Sequence, residues 1–110
     1  MVHVMLRLVS DPRCTSALVS TFNSMMLPLQ AATGFVSCAL YVGAEDPDTL
    51  CYTEEWQTPE DLDREIRSIR YTHLLAVMEK AAERPDFQLY WVSDVKGMEY
   101  LEKVRLCRAS

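Results

Sequence analysis

A chain of 110 residues, 49% hydrophobic and 25% charged, is the size of one domain and apolar enough to fold rather than stay disordered. Its net charge of −5 excludes the clustered Lys and Arg that nucleic-acid binding needs, because Arg64, Arg67 and Arg70 are interleaved with Glu60, Asp61, Asp63 and Glu65 as on a solvated helix edge. Four cysteines without a Cys-x-x-Cys spacing, no secretory signal and no apolar run of membrane length point to reduced thiols in a cytoplasmic protein with no membrane partner.

Residues 2–9 alternate, with Val4, Leu6 and Leu8 on one face and His3, Met5, Arg7 and Val9 on the other, the period-two pattern of a strand. Asp11-Pro12 stops it. From Cys14 to about Ala32, Leu18, Phe22, Met25, Met26 and Leu29 recur at helical spacing; Pro28 falls late in that run and Thr33-Gly34 supplies a stop. Residues 35–42 and 49–56 read as two strands of a hairpin around the acidic turn 43–48. Thr58-Pro59-Glu60-Asp61 is the strongest local signal in the chain: a capping hydroxyl, a proline suited to the first helical position and acids at the positive end of the dipole. The helix it opens is expected to carry one apolar stripe through Leu62, Ile66, Ile69, His73, Leu74, Val77, Met78 and Ala81, with a bend near Ser68. Residues 87–93 read as a strand, 94–97 as a turn and Met98–Leu106 as a final extended segment.

The order is β-α-β-β-α-β with an extra C-terminal strand. It predicts one α+β, ferredoxin-like domain over residues 1–110, an antiparallel sheet with both helices on one face. Two helices cover only one side of such a sheet, yet the strands carry apolar or aromatic residues at both parities, as Leu89 and Trp91 against Tyr90 and Val92 illustrate. Two sheets packed face to face about a two-fold axis would cover the second side, so a homodimer is expected.

Thr33-Gly34-Phe35, Asp46-Pro47-Asp48, the run from Tyr52 to Trp56, the run from Thr58 to Leu62, and the run from Ser68 to Tyr71 together resemble the antibiotic biosynthesis monooxygenase family along nearly the whole chain. The resemblance implies a dimeric α+β barrel. It also implies oxidation of a small electron-rich aromatic, quinol- or anthrone-like, by O₂ without flavin, haem or metal, so no cofactor is expected. A pocket for such chemistry takes up a phenolic proton and stabilises the anion in a dry cavity.

The family's usual helix reads His-x-x-Ser-x-His-Phe, and the matching residues are Glu65, Ser68, Arg70 and Tyr71. Both histidines are absent. Arg70 can stabilise an enolate or phenolate but not act as a base, and Glu65 can be a base only if burial raises its affinity for a proton. His73 is the nearest replacement. As an enzyme the chain would use His73 as base or donor, Arg70 as anion stabiliser, and Trp56, Tyr71, Glu65 and Glu54 against the substrate. The competing reading makes His73 a hydrogen-bonded core histidine, Trp56 a packing anchor, Glu54 half of an ion pair with Arg67 or Arg70, and the whole protein a non-catalytic small-molecule-binding or sensing module.

Overall fold

The alternation at the start of the chain folds as β1 (Val2–Val9), whose Val2, Val4, Leu6 and Leu8 are all buried on one face. The computed structural model describes residues 1–107. After β1 come α1 (Thr15–Leu29), β2 (Phe35–Val42), β3 (Thr49–Trp56), α2 (Pro59–Ile66), α3 (Tyr71–Glu79), β4 (Asp86–Trp91) and α4 (Met98–Leu106). The strands form one sheet in the order β2-β3-β1-β4, with every neighbouring pair antiparallel. This is the expected ferredoxin-like α+β sheet.

Register decides what meets the helices. Val4 pairs with Glu54 on one side and Leu89 on the other, and Leu6 with Tyr52 and Phe87. These residues share the face over which α1 lies beside α3 and α2 lies against β3. On β2, a bulge between Phe35 and Ser37 resets the alternation, so that Phe35, opposite Trp56, and Cys38, opposite Glu54, both turn toward the core despite an odd spacing.

The start of α2 is built as its sequence dictates. Thr58 Oγ1 accepts from the backbone N–H of Asp61 at 3.2 Å, its hydroxyl donates to Asp61 Oδ2 at 2.8 Å, and Pro59 occupies the first helical position. Gly34 packs against that carboxylate at φ +78°, where a Cβ would lie 2.0 Å from Asp61 Oδ2. Only glycine fits there.

Two elements depart from expectation. The single long helix is broken: α2 ends at Ile66, the Ser68 hydroxyl donates to the Glu65 carbonyl at 2.6 Å, and α3 restarts at Tyr71. The restart shifts the helical phase, so the buried stripe runs through Leu62, Glu65, Tyr71, Leu74 and Val77, while Ile69 is 83% exposed and His73 leaves the core for the surface. The final segment, expected to be extended, is the helix α4. Gly97 precedes it, the Glu99 carboxylate accepts from the Gly97 N–H at 3.0 Å, and Lys103 and Arg105 sit in its last turn, matching the dipole. It buries no residue. No helix among the described residues is long and apolar enough to cross a membrane.

Phe22 is fully buried and stacks on Tyr52 at 5.0 Å. Phe22→Ala should therefore cost about 3–5 kcal/mol in urea unfolding, whereas Ile69→Ala should stay within about 0.5 kcal/mol. A large loss from Ile69→Ala would restore the continuous stripe.

Candidate functional site

Between α1, the α2–α3 corner and the sheet lies a cavity of about 350 Å³. Tyr52, Glu54, Glu65, Tyr71, Leu29 and Leu74 form its buried floor. Ser20, Thr21 and Ser24 of α1, with Met25 and Pro28, form one wall, and Arg70 and His73 stand at the exposed side. The helix hydroxyls are partly spent on their own backbone, Thr21 donating to the Ala17 carbonyl at 2.9 Å and Ser24 to the Ser20 carbonyl at 3.1 Å.

Two buried carboxylates reach this space and are satisfied in different ways. Glu65, 5% exposed, accepts from the Arg70 guanidinium at 2.7 Å, and Arg70 also donates to the Pro28 carbonyl at 3.4 Å, tying the corner to the end of α1. Glu54, 3% exposed, has no cation. Its Oε2 accepts from the Tyr52 hydroxyl at 2.5 Å and its Oε1 from the Trp56 indole N–H at 2.9 Å. An ion pair of Glu54 with Arg67 or Arg70 is thus overturned: Arg70 is bound to Glu65, and Arg67 lies exposed.

The electrostatics follow from that difference. Burial pushes the Glu54 carboxyl above the usual carboxylate range, the two donors pull it back in part, and the negative Glu65 adds to the rise. Burial likewise raises the phenols around it, helped by the charge of Glu54. Tyr71 is pushed up to about 12, and Tyr52, which also donates to Glu54, is raised further. Across the strand pair, the Cys38 thiol is raised by burial and by Glu54. A proton acceptor thus lies among groups that hold their own protons.

Arg70, Tyr71, Glu65, Glu54 and His73 all line the cavity. Trp56 does not. It is wholly buried, edge-on to Phe35 at 5.6 Å, and meets the cavity only through Glu54. Period two places Tyr52, Glu54 and Trp56 on one face of β3, but nothing in their spacing showed that the outer two donate to Glu54. Sequence reasoning missed the hydroxyl wall of α1, whose signal was Ser20, Thr21 and Ser24 beside the buried Phe22. Among the described residues, no group of three or more His, Cys, Asp or Glu side chains is placed to hold a metal ion.

No protein-family model and no curated protein gives a significant match to the chain. Solved structures do. A Mycobacterium tuberculosis protein superposes with TM-score 0.77 at 25% identity, covering 87% of this chain and 98% of its own. A structure named antibiotic biosynthesis monooxygenase superposes with TM-score 0.75 at 15% identity, covering 86% of this chain and 100% of its own. The cofactor-independent oxygenase SnoaB of Streptomyces nogalater superposes with TM-score 0.74 at 14% identity, covering 86% of this chain and 94% of its own. The resemblance read from the sequence holds at the level of fold: this chain is built like the antibiotic biosynthesis monooxygenases.

The stability of the chain should record Glu54 directly. A carboxyl whose proton affinity is raised by folding keeps its proton where the unfolded chain has lost it. Its contribution is fully present below the ordinary carboxylate range and is lost as pH rises through the folded-state value. Gln cannot ionise, and it can accept from Trp56 while donating to the Tyr52 oxygen. Thermal unfolding of Glu54→Gln beside the wild type, over pH of about 4 to 8, should show the difference in Tm moving in the variant's favour as pH rises. A difference independent of pH would mean that Glu54 is ionised at no cost.

Proposed function

We propose that a chain with the monooxygenase fold and a buried, cation-free carboxylate in its cavity is a cofactor-independent monooxygenase acting on a small electron-rich aromatic, quinol- or anthrone-like. Glu54 carries the reading. A carboxylate held in an apolar cavity with raised proton affinity is a better acceptor for a phenolic proton than one in water.

The chemistry is described for an anthrone in its phenolic form. Glu54 takes the hydroxyl proton, and the resulting anion passes one electron to O₂. The ring radical and superoxide combine at the ring carbon as a peroxide anion, which takes the proton back from Glu54. Loss of water then leaves a carbonyl, so that one oxygen atom enters the product, the other leaves as water, and the ring methylene has lost two hydrogens. In this reading Tyr71 and Arg70 supply hydrogen-bond donors to the anion, and His73 stands at the exposed side as a second donor. Excluding water from the floor keeps the anion reducing.

A homodimer belongs to the same proposal. The face of the sheet away from the helices carries Met5, Val9, Ala39, Tyr41 and Tyr90, and on it His3 has a buried Nε2 with no hydrogen-bond partner. A second copy laid on this face would cover its apolar side chains. Sedimentation should give twice the mass of the chain; a monomer at micromolar concentration would remove this part of the proposal.

Oxygen uptake by metal-stripped protein against a panel of hydroquinones and anthrones tests the activity. The wild type should exceed the spontaneous rate. Glu54→Gln should lower turnover by about 10²- to 10⁴-fold, the usual worth of a general base, and Arg70→Ala should lower both turnover and stability, because it leaves the buried Glu65 without its partner. Uptake no faster than the spontaneous rate across the panel would leave the cavity as the site of a non-catalytic binding or sensing protein. An active Glu54→Gln would put the base elsewhere, with His73 first in line.

A further inference from the structure

Strand β3 places Tyr52, Glu54 and Trp56 two residues apart, and the pleat points all three side chains toward the helices. Glu54 thus has a donor on either side along its own strand. The two donors differ in what else they do. Tyr52 lines the cavity beside Glu54, whereas Trp56 is outside it, 0% exposed, with its ring fixed edge-on by Phe35. Filling that space would take only an apolar ring. The indole N–H goes further, ending on Oε1 of Glu54 at 2.9 Å.

We propose that Trp56 is a positioning residue: its N–H fixes the Glu54 carboxylate, together with the Tyr52 hydroxyl, in the orientation from which it takes the substrate's proton. This deepens the oxygenase reading and rests on it. Both donors sit on rings clamped from behind, Tyr52 by Phe22 at 5.0 Å and Trp56 by Phe35 at 5.6 Å, so the carboxylate cannot swing without breaking a packed contact.

Donation to the charged form also stabilises it, opposing the desolvation that favours the protonated acid. The other titratable groups around Glu54 are Tyr52 on its own strand, Cys38 opposite on β2, Glu65 on α2 with Arg70 paired to it, and Tyr71 and His73 on α3. Val4 faces it from β1, and α1 presents Ser20, Thr21, Ser24 and Met25 to the cavity. Losing the indole N–H therefore leaves every nearby charge as it was.

Two variants separate positioning from packing. Trp56→Phe removes the N–H and some volume; site-specific replacement of Trp56 by 3-benzothienylalanine removes the N–H and keeps the shape. Carbon-13 NMR of the glutamate carboxyls, with Glu54→Gln assigning the resonance, follows Glu54 without any substrate. Its titration midpoint should rise by about one to two pH units in both variants, the worth of a hydrogen bond to a charged group. The acid limb of the oxygen-uptake profile should move with it, so that turnover on the limb falls about 10- to 100-fold and recovers at high pH. An unmoved midpoint with lowered stability in both variants would overturn the proposal and leave Trp56 as packing only. A moved midpoint in a protein with no oxygen uptake would keep the positioning role and sink the oxygenase. Uptake with an unmoved midpoint would do the reverse.

Discussion

A carboxylate buried without a cation organises this molecule. Removing a charge from water is expensive unless its oxygens are satisfied, and Glu54 satisfies both of them from its own strand. That solution has requirements elsewhere. Tyr52 and Trp56 must each be held, which Phe22 of α1 and Phe35 of β2 do. Phe35 must reach Trp56 while Cys38 still turns to the core, which needs the bulge in β2. The sheet register, the first helix and one irregularity of the backbone all converge on two oxygen atoms.

Its neighbour Glu65 takes the opposite course. It closes on Arg70, which reaches on to the carbonyl of Pro28, so that the break between α2 and α3 is tied to the end of α1. The pair neutralises one acid at the cavity and leaves the other with neutral donors. The two acids therefore sit in different surroundings: Glu65 lies against a guanidinium, and Glu54 against a phenol hydroxyl and an indole N–H.

The sheet was legible in the sequence because its signals are local. Alternation in residues 2–9, the two hairpin strands at residues 35–42 and 49–56 and the cap at Thr58 all stand where the pattern put them. The stripe through Ile66 and Ile69 failed because a helical pattern carries its phase forward, and a break at residues 67–70 resets it without a proline or glycine to announce the change. In Met98–Leu106, Met98, Tyr100, Val104 and Leu106 alternate like a strand, while Met98, Leu101 and Val104 step like a helix. Glu99 beside Gly97, with Lys103 and Arg105 following, was the deciding signal. Of the site, Glu54, Glu65, Arg70, Tyr71 and His73 were picked out one by one. Their pairing was not, because which carboxylate meets which donor depends on tertiary distances that residue spacing along the chain does not contain.

The sheet order has a consequence for how the protein is made. β1 lies inside the sheet, between β3 and β4, so a strand made before either of its neighbours keeps one edge unpaired until residue 91 has been synthesised. Val2, Val4, Leu6 and Leu8 are an apolar strand face of the kind that pairs with other chains when left open. The nascent chain can cover one side early, once the hairpin of β2 and β3 is out. The other side stays exposed while α2 and α3 are translated. Arg7 faces away from that apolar row on the same strand and stands opposite Asp86 in the register with β4. A charge in the middle of the waiting strand discourages pairing with a neighbouring chain during synthesis.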